Sequence, residues 1–227
     1  MCGDNAAGGV GRSEITVSKT KIEWADRVWN PVTGCTKISP GCQNCYAERM
    51  SKRLAGRCGY PKDEPFKVTL HPERLGEPLK WKKPSRIFVC SMGDLFHEDV
   101  PDEFIDQVFG VILACRILKN IPNHTFLILT KRPERMARYL TELEPVELLK
   151  AWANIAPVWT DNEDITFDEL VYSECCHGWD KNGRNSKGSE YKPWGYIDSL
   201  WPLPNVWFGV TAENQERADE RIPILLE

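Results

Sequence analysis

The sequence predicts an α/β fold built on a parallel β-sheet. Three short apolar runs that are rich in β-branched and aromatic residues, at 86–90, 125–129 and 206–210, indicate buried strands. A segment with helical character follows each run, and strands that alternate with helices are typical of βαβ units. Because a chain of 227 residues suffices for one hydrophobic core, we expect a single α/β domain over residues 15–227.

The elements before the first of these runs surround a group of cysteines. Residues 1–14 are small and polar without periodicity, and we expect them to form a flexible leader. An extended segment at 28–33 leads into a loop, in which Ser39-Pro40-Gly41 indicates a turn. Residues 46–54 contain no helix breaker and many strong helix formers, so a helix is predicted there.

The remaining elements continue the alternation. The strand at 86–90 is expected to be buried on both faces, because its apolar run is continuous. Helices are predicted at 101–119, where apolar residues recur at helical spacing, and at 133–143 after the second strand. The last helix is predicted at 214–226, apart from Pro223.

One segment does not follow this alternation of strands and helices. Residues 146–200 are irregular, carry Cys175, Cys176 and His177, and are expected to form an inserted excursion. Adjacent cysteines chelate one ion poorly, so no metal site is expected at these three residues. A closed barrel would need more strands than the roughly four predicted, so a fold of that type is expected to be truncated at its C-terminus.

Composition and charge exclude several classes of protein. The apolar fraction of 41% and the charged fraction of 27% are those of a folded soluble protein, and no apolar run could span a bilayer. A net charge of −4 gives no support to nucleic acid as a partner, although a local basic groove stays open. The N-terminus lacks the apolar core of a secretory signal, so a cytoplasmic location is expected.

Three cysteines form the most informative motif. Cys35, Cys42 and Cys45 are separated by six and by two residues. In a reducing compartment such close spacing indicates metal binding or thiol chemistry more than disulfides. A C-x2-C turn lets two thiolates converge on one metal, and the preceding turn can bring the third alongside. Three ligands would leave one position of a four-iron cluster open for a substrate or cofactor.

Zinc is the alternative to such a cluster. A closed structural zinc site needs a fourth ligand, which Cys58, His71 or Cys90 could supply. Cys90 and Cys115 lie in apolar segments and are otherwise expected to be small core residues.

The residues around the cysteines resemble a known signature, and the resemblance covers most of residues 21–145 and 203–227. The matching runs are Trp29-Asn30-Pro31-Val32-Thr33-Gly34-Cys35, Ser39-Pro40-Gly41-Cys42, Asn44-Cys45-Tyr46-Ala47-Glu48-Arg49, Ser91-Met92-Gly93-Asp94-Leu95-Phe96, Leu129-Thr130-Lys131-Arg132-Pro133 and Asn205-Val206-Trp207-Phe208-Gly209-Val210. They are similar to a phage-associated three-cysteine-motif family of unknown function, the phage gene product 37/68 family. That family in turn resembles the radical S-adenosylmethionine enzymes.

The second resemblance implies a fold, a cluster and a cofactor. In radical S-adenosylmethionine enzymes, three cysteines after the first strand of a partial parallel (β/α) barrel, a TIM-like fold, hold a [4Fe-4S] cluster. This cluster reductively cleaves S-adenosylmethionine to a 5'-deoxyadenosyl radical. The present chain departs from the usual pattern, because six residues instead of three separate Cys35 and Cys42. Asn44 also stands where an aromatic residue commonly precedes the last cysteine, and Tyr46 follows that cysteine instead, which implies a cofactor contact for Tyr46.

The resemblance further implies roles for residues that follow the strands. In radical enzymes a Gly-Gly-Glu-like motif after the second strand binds the amino group of methionine, which implies cofactor contacts for Ser91, Gly93 and Asp94. Lys131 and Arg132 end the third strand, at the rim where parallel-sheet proteins place ligand contacts, and Lys131 is expected to contact the cofactor. Local structure offers alternatives, namely a turn with a helix-capping acid at Gly93-Asp94 and a solvated helix start at Lys131-Arg132.

The sequence therefore favours a radical S-adenosylmethionine-like iron–sulfur protein of unknown substrate, associated with a phage or prophage and served by an electron donor. Two alternatives stay open: a zinc-stabilised module that binds nucleic acid or protein, and a catalytically inactive truncated remnant. The sequence identifies neither the catalytic residues nor the substrate.

Overall fold

A computed structural model describes residues 20–118, 120–160 and 201–226. The strands are β1 (Arg27–Trp29), β2 (Val32–Thr33), β3 (Thr69–Leu70), β4 (Arg86–Val89), β5 (Thr125–Thr130) and β6 (Val206–Val210). The helices are α1 (Tyr46–Leu54), α2 (Asp102–Ile117), α3 (Pro133–Thr141), α4 (Pro145–Thr160) and α5 (Gln215–Leu226). The predicted leader at 1–14 and the group Cys175, Cys176 and His177 lie outside the described residues.

Four parallel strands form the main sheet. They lie in the order β1-β4-β5-β6, which is also their order along the chain. β2 and β3 form a separate antiparallel pair. A parallel sheet whose strands are linked through helices confirms the α/β prediction. Since all four strands run in the same direction, the segments that follow them meet at one edge of the sheet.

Strand β4 is fully buried on one face only. Ile87 and Val89 are buried, whereas Phe88 between them is half-buried and Arg86 is exposed. The prediction that both faces of this strand are buried is therefore wrong. Alternate residues of a strand point to opposite sides, and Ile87 and Val89 share one hydrophobic core with the buried side chains of helix α2.

Helix α4 lies at the beginning of the segment 146–200, which is predicted to interrupt the alternation of strands and helices. It follows α3 directly, so within the described residues two helices stand in succession after β5. Its side chains Leu148, Leu149, Trp152 and Ala153 are buried at helical spacing and belong to the main core. The first part of the predicted excursion is therefore a core helix, and residues 161–200 lie outside the described residues.

Trp152 links α4 to helices α2 and α3. Its ring stacks on that of Phe109 with 4.5 Å between the centroids. Its indole N–H donates to the Tyr139 hydroxyl at 2.9 Å and to the Asp106 carboxylate at 3.2 Å. A buried indole whose N–H is satisfied combines a large apolar area with a specific orientation.

None of the described helices is both long and apolar enough to span a membrane.

Replacing this indole should destabilise the fold. We expect Trp152→Ala to lower the free energy of unfolding by about 3–5 kcal/mol, because it leaves a cavity beside Phe109. The matched control is Trp207→Ala, since Trp207 is 66% exposed and its removal should change stability by only about 0.5 kcal/mol. Urea unfolding measures both, and equal losses would contradict the assignment of α4 to the core.

Candidate functional site

A cavity of about 270 Å³ lies at the edge where the strands end. It is lined by the three motif cysteines, by the residues expected to contact the cofactor, and by Arg132. These lining residues are Cys35, Cys42, Cys45, Tyr46, Ser91, Gly93, Asp94, Lys131 and Arg132. Parallel sheets commonly bind ligands beyond the carboxyl ends of their strands, so the position suits a binding site. The individual ligand roles stay predictions.

Two glycines place the cysteine loop against the end of β4. Gly34 forms a parallel bridge with Gly93, and its N–H donates to the Met92 carbonyl at 2.9 Å. Gly34 has a φ of +83°, and a Cβ there would lie 2.1 Å from the Lys67 carbonyl oxygen. A Cβ on Gly93 would lie 3.0 Å from the Gly34 carbonyl oxygen. This close backbone contact fixes Cys35 beside the segment that follows β4.

Arg132 connects the cysteine loop with the ends of β4 and β5. Its side chain is buried, and its Nη1 donates to Asp94 Oδ2 at 3.3 Å and to Cys35 Sγ at 3.4 Å. Its Nη2 donates to Thr36 Oγ1 at 2.9 Å, and its Nε donates to Glu98 Oε2 at 2.9 Å. The planar guanidinium thus joins three chain segments through directed hydrogen bonds.

Asp94 is buried and its carboxylate is fully engaged. Oδ1 accepts hydrogen bonds from the Thr130 hydroxyl at 2.8 Å and the Phe96 N–H at 3.1 Å. Oδ2 accepts from the Lys131 N–H at 3.1 Å and from Arg132. A carboxylate offers about four lone-pair sites, and all of them are used here. An ammonium group would have to displace one of these donors, so the geometry supports a positioning role for Asp94.

His97, to which the sequence assigns no role, supports the same loop. Its Nε2 lies 2.8 Å from Thr36 Oγ1, and its Nδ1 accepts the Asp99 N–H at 3.0 Å. Nε2 also lies 3.2 Å from the Thr36 backbone nitrogen, so the ring contacts both the side chain and the main chain of Thr36. Burial and the nearby Arg132 charge lower the pKa of His97, which keeps the ring neutral. Both ring nitrogens are therefore occupied within the protein.

Glu213 holds the middle of the cysteine loop from the segment that follows β6. Its Oε1 accepts the Gly41 N–H at 3.2 Å, and its Oε2 pairs with the buried Arg221 at 3.2 Å. Arg221 also donates to the Thr211 carbonyl at 2.5 Å. Burial raises the pKa of Glu213, but hydrogen bonds from Ser39 and Gly41 outweigh it and bring the pKa to about 2. The carboxylate is thus an ionised anchor for the loop.

The linear sequence gives little sign of this anchor. Glu213 is 172 residues from Gly41 in the sequence. The one feature of the sequence that could have indicated a role in the site is the position of Glu213 three residues after β6, at the edge where the parallel strands end. A Cβ on Gly41 would lie 2.9 Å from the Glu213 side chain, so a larger residue there would require that side chain to shift.

The thiols differ in their electrostatic surroundings. Burial raises the pKa of Cys35 to about 11, although the Arg132 guanidinium acts in the opposite direction. Burial also acts to raise the pKa of Cys42, but hydrogen bonds from the Ile38 and Ser39 backbone are among the contacts that outweigh it. The pKa of Cys42 is therefore held below its ordinary value, which favours the thiolate.

The described residues contain no group of three or more His, Cys, Asp or Glu side chains arranged to hold a metal ion. The three thiols line one cavity, but two of them bond locally, Cys35 to the Thr36 carbonyl at 3.4 Å and Cys42 to the Ser39 hydroxyl at 3.6 Å. A metal that bound all three would have to replace these contacts, as expected where binding and local ordering are coupled.

The candidates for a fourth zinc ligand lie in different places. Cys90 lines the cavity, whereas Cys58 and His71 are not among its lining residues. His71 Nε2 lies 2.8 Å from Thr33 Oγ1 and its Nδ1 lies 3.2 Å from Glu73, so both ring nitrogens have partners. Burial raises the pKa of Cys90 to about 12. Cys90 and Cys115 are buried, as predicted for small core residues.

One family model matches the chain. It is described as a protein of unknown function (DUF5131) and matches residues 19–227. Searches of curated proteins and of solved structures found no match.

Removing the Glu213 anchor should loosen the cysteine loop. In Glu213→Ala we expect amide hydrogen exchange over residues 36–45 to accelerate by about tenfold, because a hydrogen bond to a charged acceptor is lost. The matched control is Glu216→Ala, whose side chain is 74% exposed and, among the residues that the structure describes, pairs only with its neighbour Arg217. Unchanged exchange in Glu213→Ala, measured by mass spectrometry, would show that the loop does not depend on this contact.

The Glu213 carboxylate should also give stability a measurable pH dependence. Because its folded pKa of about 2 lies below the ordinary value of 4.5, the unfolded chain binds more protons between these values. The contribution is therefore complete above pH 4.5 and is lost as the pH falls towards 2. We expect Glu213→Gln to show a flatter decline in the free energy of unfolding over this window, and parallel curves for the two proteins would contradict the assignment.

Proposed function

This chain belongs to the DUF5131 family of proteins of unknown function, and we propose that it is a radical S-adenosylmethionine-like iron–sulfur protein. Cys35, Cys42 and Cys45 would hold a [4Fe-4S] cluster, and S-adenosylmethionine would bind next to it. The observation that carries the proposal is that these thiols share one cavity with the residues expected at the cofactor site, at the carboxyl edge of a parallel sheet.

The donor set suits such a cluster. All three cysteines are free thiols of intermediate burial, so that each can reach the cavity. Thiolates are the ligands that iron–sulfur clusters prefer, and the lowered pKa of Cys42 favours the ligand form. Gly41 and Gly93 add no side chain to the cavity wall, which leaves space in front of the thiols. The residues present therefore fit a thiolate-bound cluster.

When bound, a cluster with three protein ligands supplies one-electron chemistry at the iron that the protein leaves open. The chain's own groups prepare the surroundings of that position. Arg132 donates to the Cys35 sulfur and stabilises negative charge on it. Lys131 forms no ion pair within the described residues and lowers the pKa of Cys42, so its ammonium is available for a carboxylate in the cavity.

Ser91 and Tyr46 complete the proposed cofactor site. The Ser91 hydroxyl donates to the Asn30 side-chain oxygen at 3.1 Å, and Asn30 also accepts the Met92 N–H at 3.0 Å. These contacts orient the segment after β4 towards the cavity. Tyr46 is 60% exposed at the rim, where its ring can stack on a planar group.

The proposal includes a partial (β/α) barrel of TIM type. Its support is the agreement between strand order in the sheet and strand order in the chain, since a barrel of βα units is laid down in that way. A cytoplasmic location and an association with a phage or prophage, with a separate electron donor, complete the proposal. A reducing compartment suits the free thiols at the cavity.

A zinc site is the second candidate, and the position of Cys90 favours it. Cys90 lines the same cavity as the three motif cysteines, so the chain offers four thiols there. A set of four cysteine ligands is a common structural zinc site. To join it, Cys90 would have to ionise in spite of burial, a cost that the hydrogen bond from the Val32 backbone partly offsets.

Metal content and cofactor cleavage test the proposal together. Protein purified without air should be brown and contain iron and sulfide, and with reductant it should release 5'-deoxyadenosine from S-adenosylmethionine. Cys42→Ser should lose at least about 90% of the iron and the product, because a thiolate ligand is removed. Cys115→Ala is the matched control, since Cys115 is buried in α2 away from the cavity.

Other outcomes separate the candidates. Stoichiometric zinc without iron or sulfide, lost in both Cys42→Ser and Cys90→Ser, would establish the zinc site instead. Full cluster content and turnover in Cys42→Ser would disprove the ligand assignment.

A further inference from the structure

The outer face of helix α1 concentrates positive charge. Residues 46–67 contain six Lys or Arg and three Asp or Glu, which is a net charge of +3 in a chain whose net charge is −4. Ala47 and Ser51 form the buried side of α1. Arg49 and Arg53 lie three and seven residues after Tyr46, so helix geometry places all three on the opposite, exposed side.

The acidic residue of α1 does not neutralise this face. Glu48 pairs with Lys37 at 3.0 Å and with Lys52 at 2.9 Å. Arg49 and Arg53 form no ion pair within the described residues. Their charges are therefore exposed and unpaired in this part of the chain.

The positive charge continues beyond the end of the helix. Arg57 and Lys62 are exposed, and Lys62 lies against Gly56, where an added Cβ would contact its side chain at 3.7 Å. Basic residues in the last turn of a helix offset its dipole, which accounts for Arg53. It does not account for Arg57 and Lys62, which follow the helix. We call the surface formed by Tyr46, Arg49, Arg53, Arg57 and Lys62 the α1 basic face.

The α1 basic face begins at the mouth of the cavity. Tyr46 belongs to the face and lines the cavity. A second, open depression of about 430 Å³ adjoins the cavity, because Phe66 lines both. Lys52 and Lys67 line this depression. An exposed aromatic ring thus stands between unpaired arginines and the candidate reaction site.

We propose that the α1 basic face binds a single-stranded nucleic acid and presents it to the cavity. Arginines suit the phosphates of such a strand, and an exposed tyrosine suits an unstacked base. An acidic peptide would use the charges but not the ring, and a duplex keeps its bases stacked on one another. The inference rests on the proposed function, for which it names nucleic acid as the substrate class.

Binding of a fluorescent single-stranded oligonucleotide, followed by anisotropy at several salt concentrations, tests the proposal. The double variant Arg49→Glu/Arg53→Glu should weaken binding by at least about tenfold, and the salt slope should fall by about 0.7 for each phosphate contact removed. Lys82→Glu/Lys83→Glu is the matched control. It makes the same change in charge at two exposed lysines before β4, at the opposite edge of the sheet.

The contribution of Tyr46 to binding can be measured separately from that of the arginines. Tyr46→Ala should weaken binding by about fivefold or more without changing the salt slope, because stacking involves no counterion release. Tyr46→Phe keeps the ring and should retain the wild-type affinity.

Several outcomes would overturn the proposal. These are no binding at low salt, an equal loss in the Lys82/Lys83 control, tighter binding of duplex than of single strand, and equal competition by polyglutamate of the same charge. The assay uses the full chain as purified without air, and the metal content of each preparation is measured alongside. Iron and sulfide content of the same variants tests the proposed function separately, because the α1 basic face contains no cysteine.

Discussion

The buried ion pair between Arg132 and Asp94 organises the candidate site. Each partner follows a different strand of the sheet, and the guanidinium also bonds to the Thr36 hydroxyl and the Cys35 sulfur of the cysteine loop. A buried charge is tolerated only when it is paired and hydrogen-bonded, and here every lone pair of Asp94 is used. The pair therefore fixes the relative positions of three segments that would otherwise be independent loops.

The cysteine loop is held at its base and at its middle. At the base, the contact between Gly34 and Gly93 sets where Cys35 leaves the sheet. In the middle, Glu213 holds Gly41 from the segment after β6. Six residues separate Cys35 from Cys42, and a loop of this length would be flexible without further contacts. The contacts at Gly34 and Gly41 order it, because each of them removes conformational freedom. The segments that follow β4, β5 and β6 thus all contact one loop.

The same arrangement makes the thiols of the cavity differ in how readily they ionise. Cys35 lies deep beside Arg132, where burial opposes the thiolate, whereas local hydrogen bonds favour the thiolate of Cys42. On the outer side, Tyr46 leads to arginines that have no counter-ions within the described residues. A protein with a net negative charge can therefore present a positive surface, since affinity for a polyanion depends on local charge and not on the total.

Local sequence patterns were sufficient to predict several of the elements. Apolar runs and breakers predicted α1 at 46–54 and β6 at 206–210 with the bounds that the structure has, since these features depend on neighbours along the chain. The sequence also predicted which residues follow each strand, and parallel strands bring those residues to one edge. Tertiary structure alone decided that Asp94 is saturated, that one face of β4 is only partly covered and that Glu213 meets Gly41. These facts depend on distances between segments far apart in the chain, which no local pattern of residues specifies.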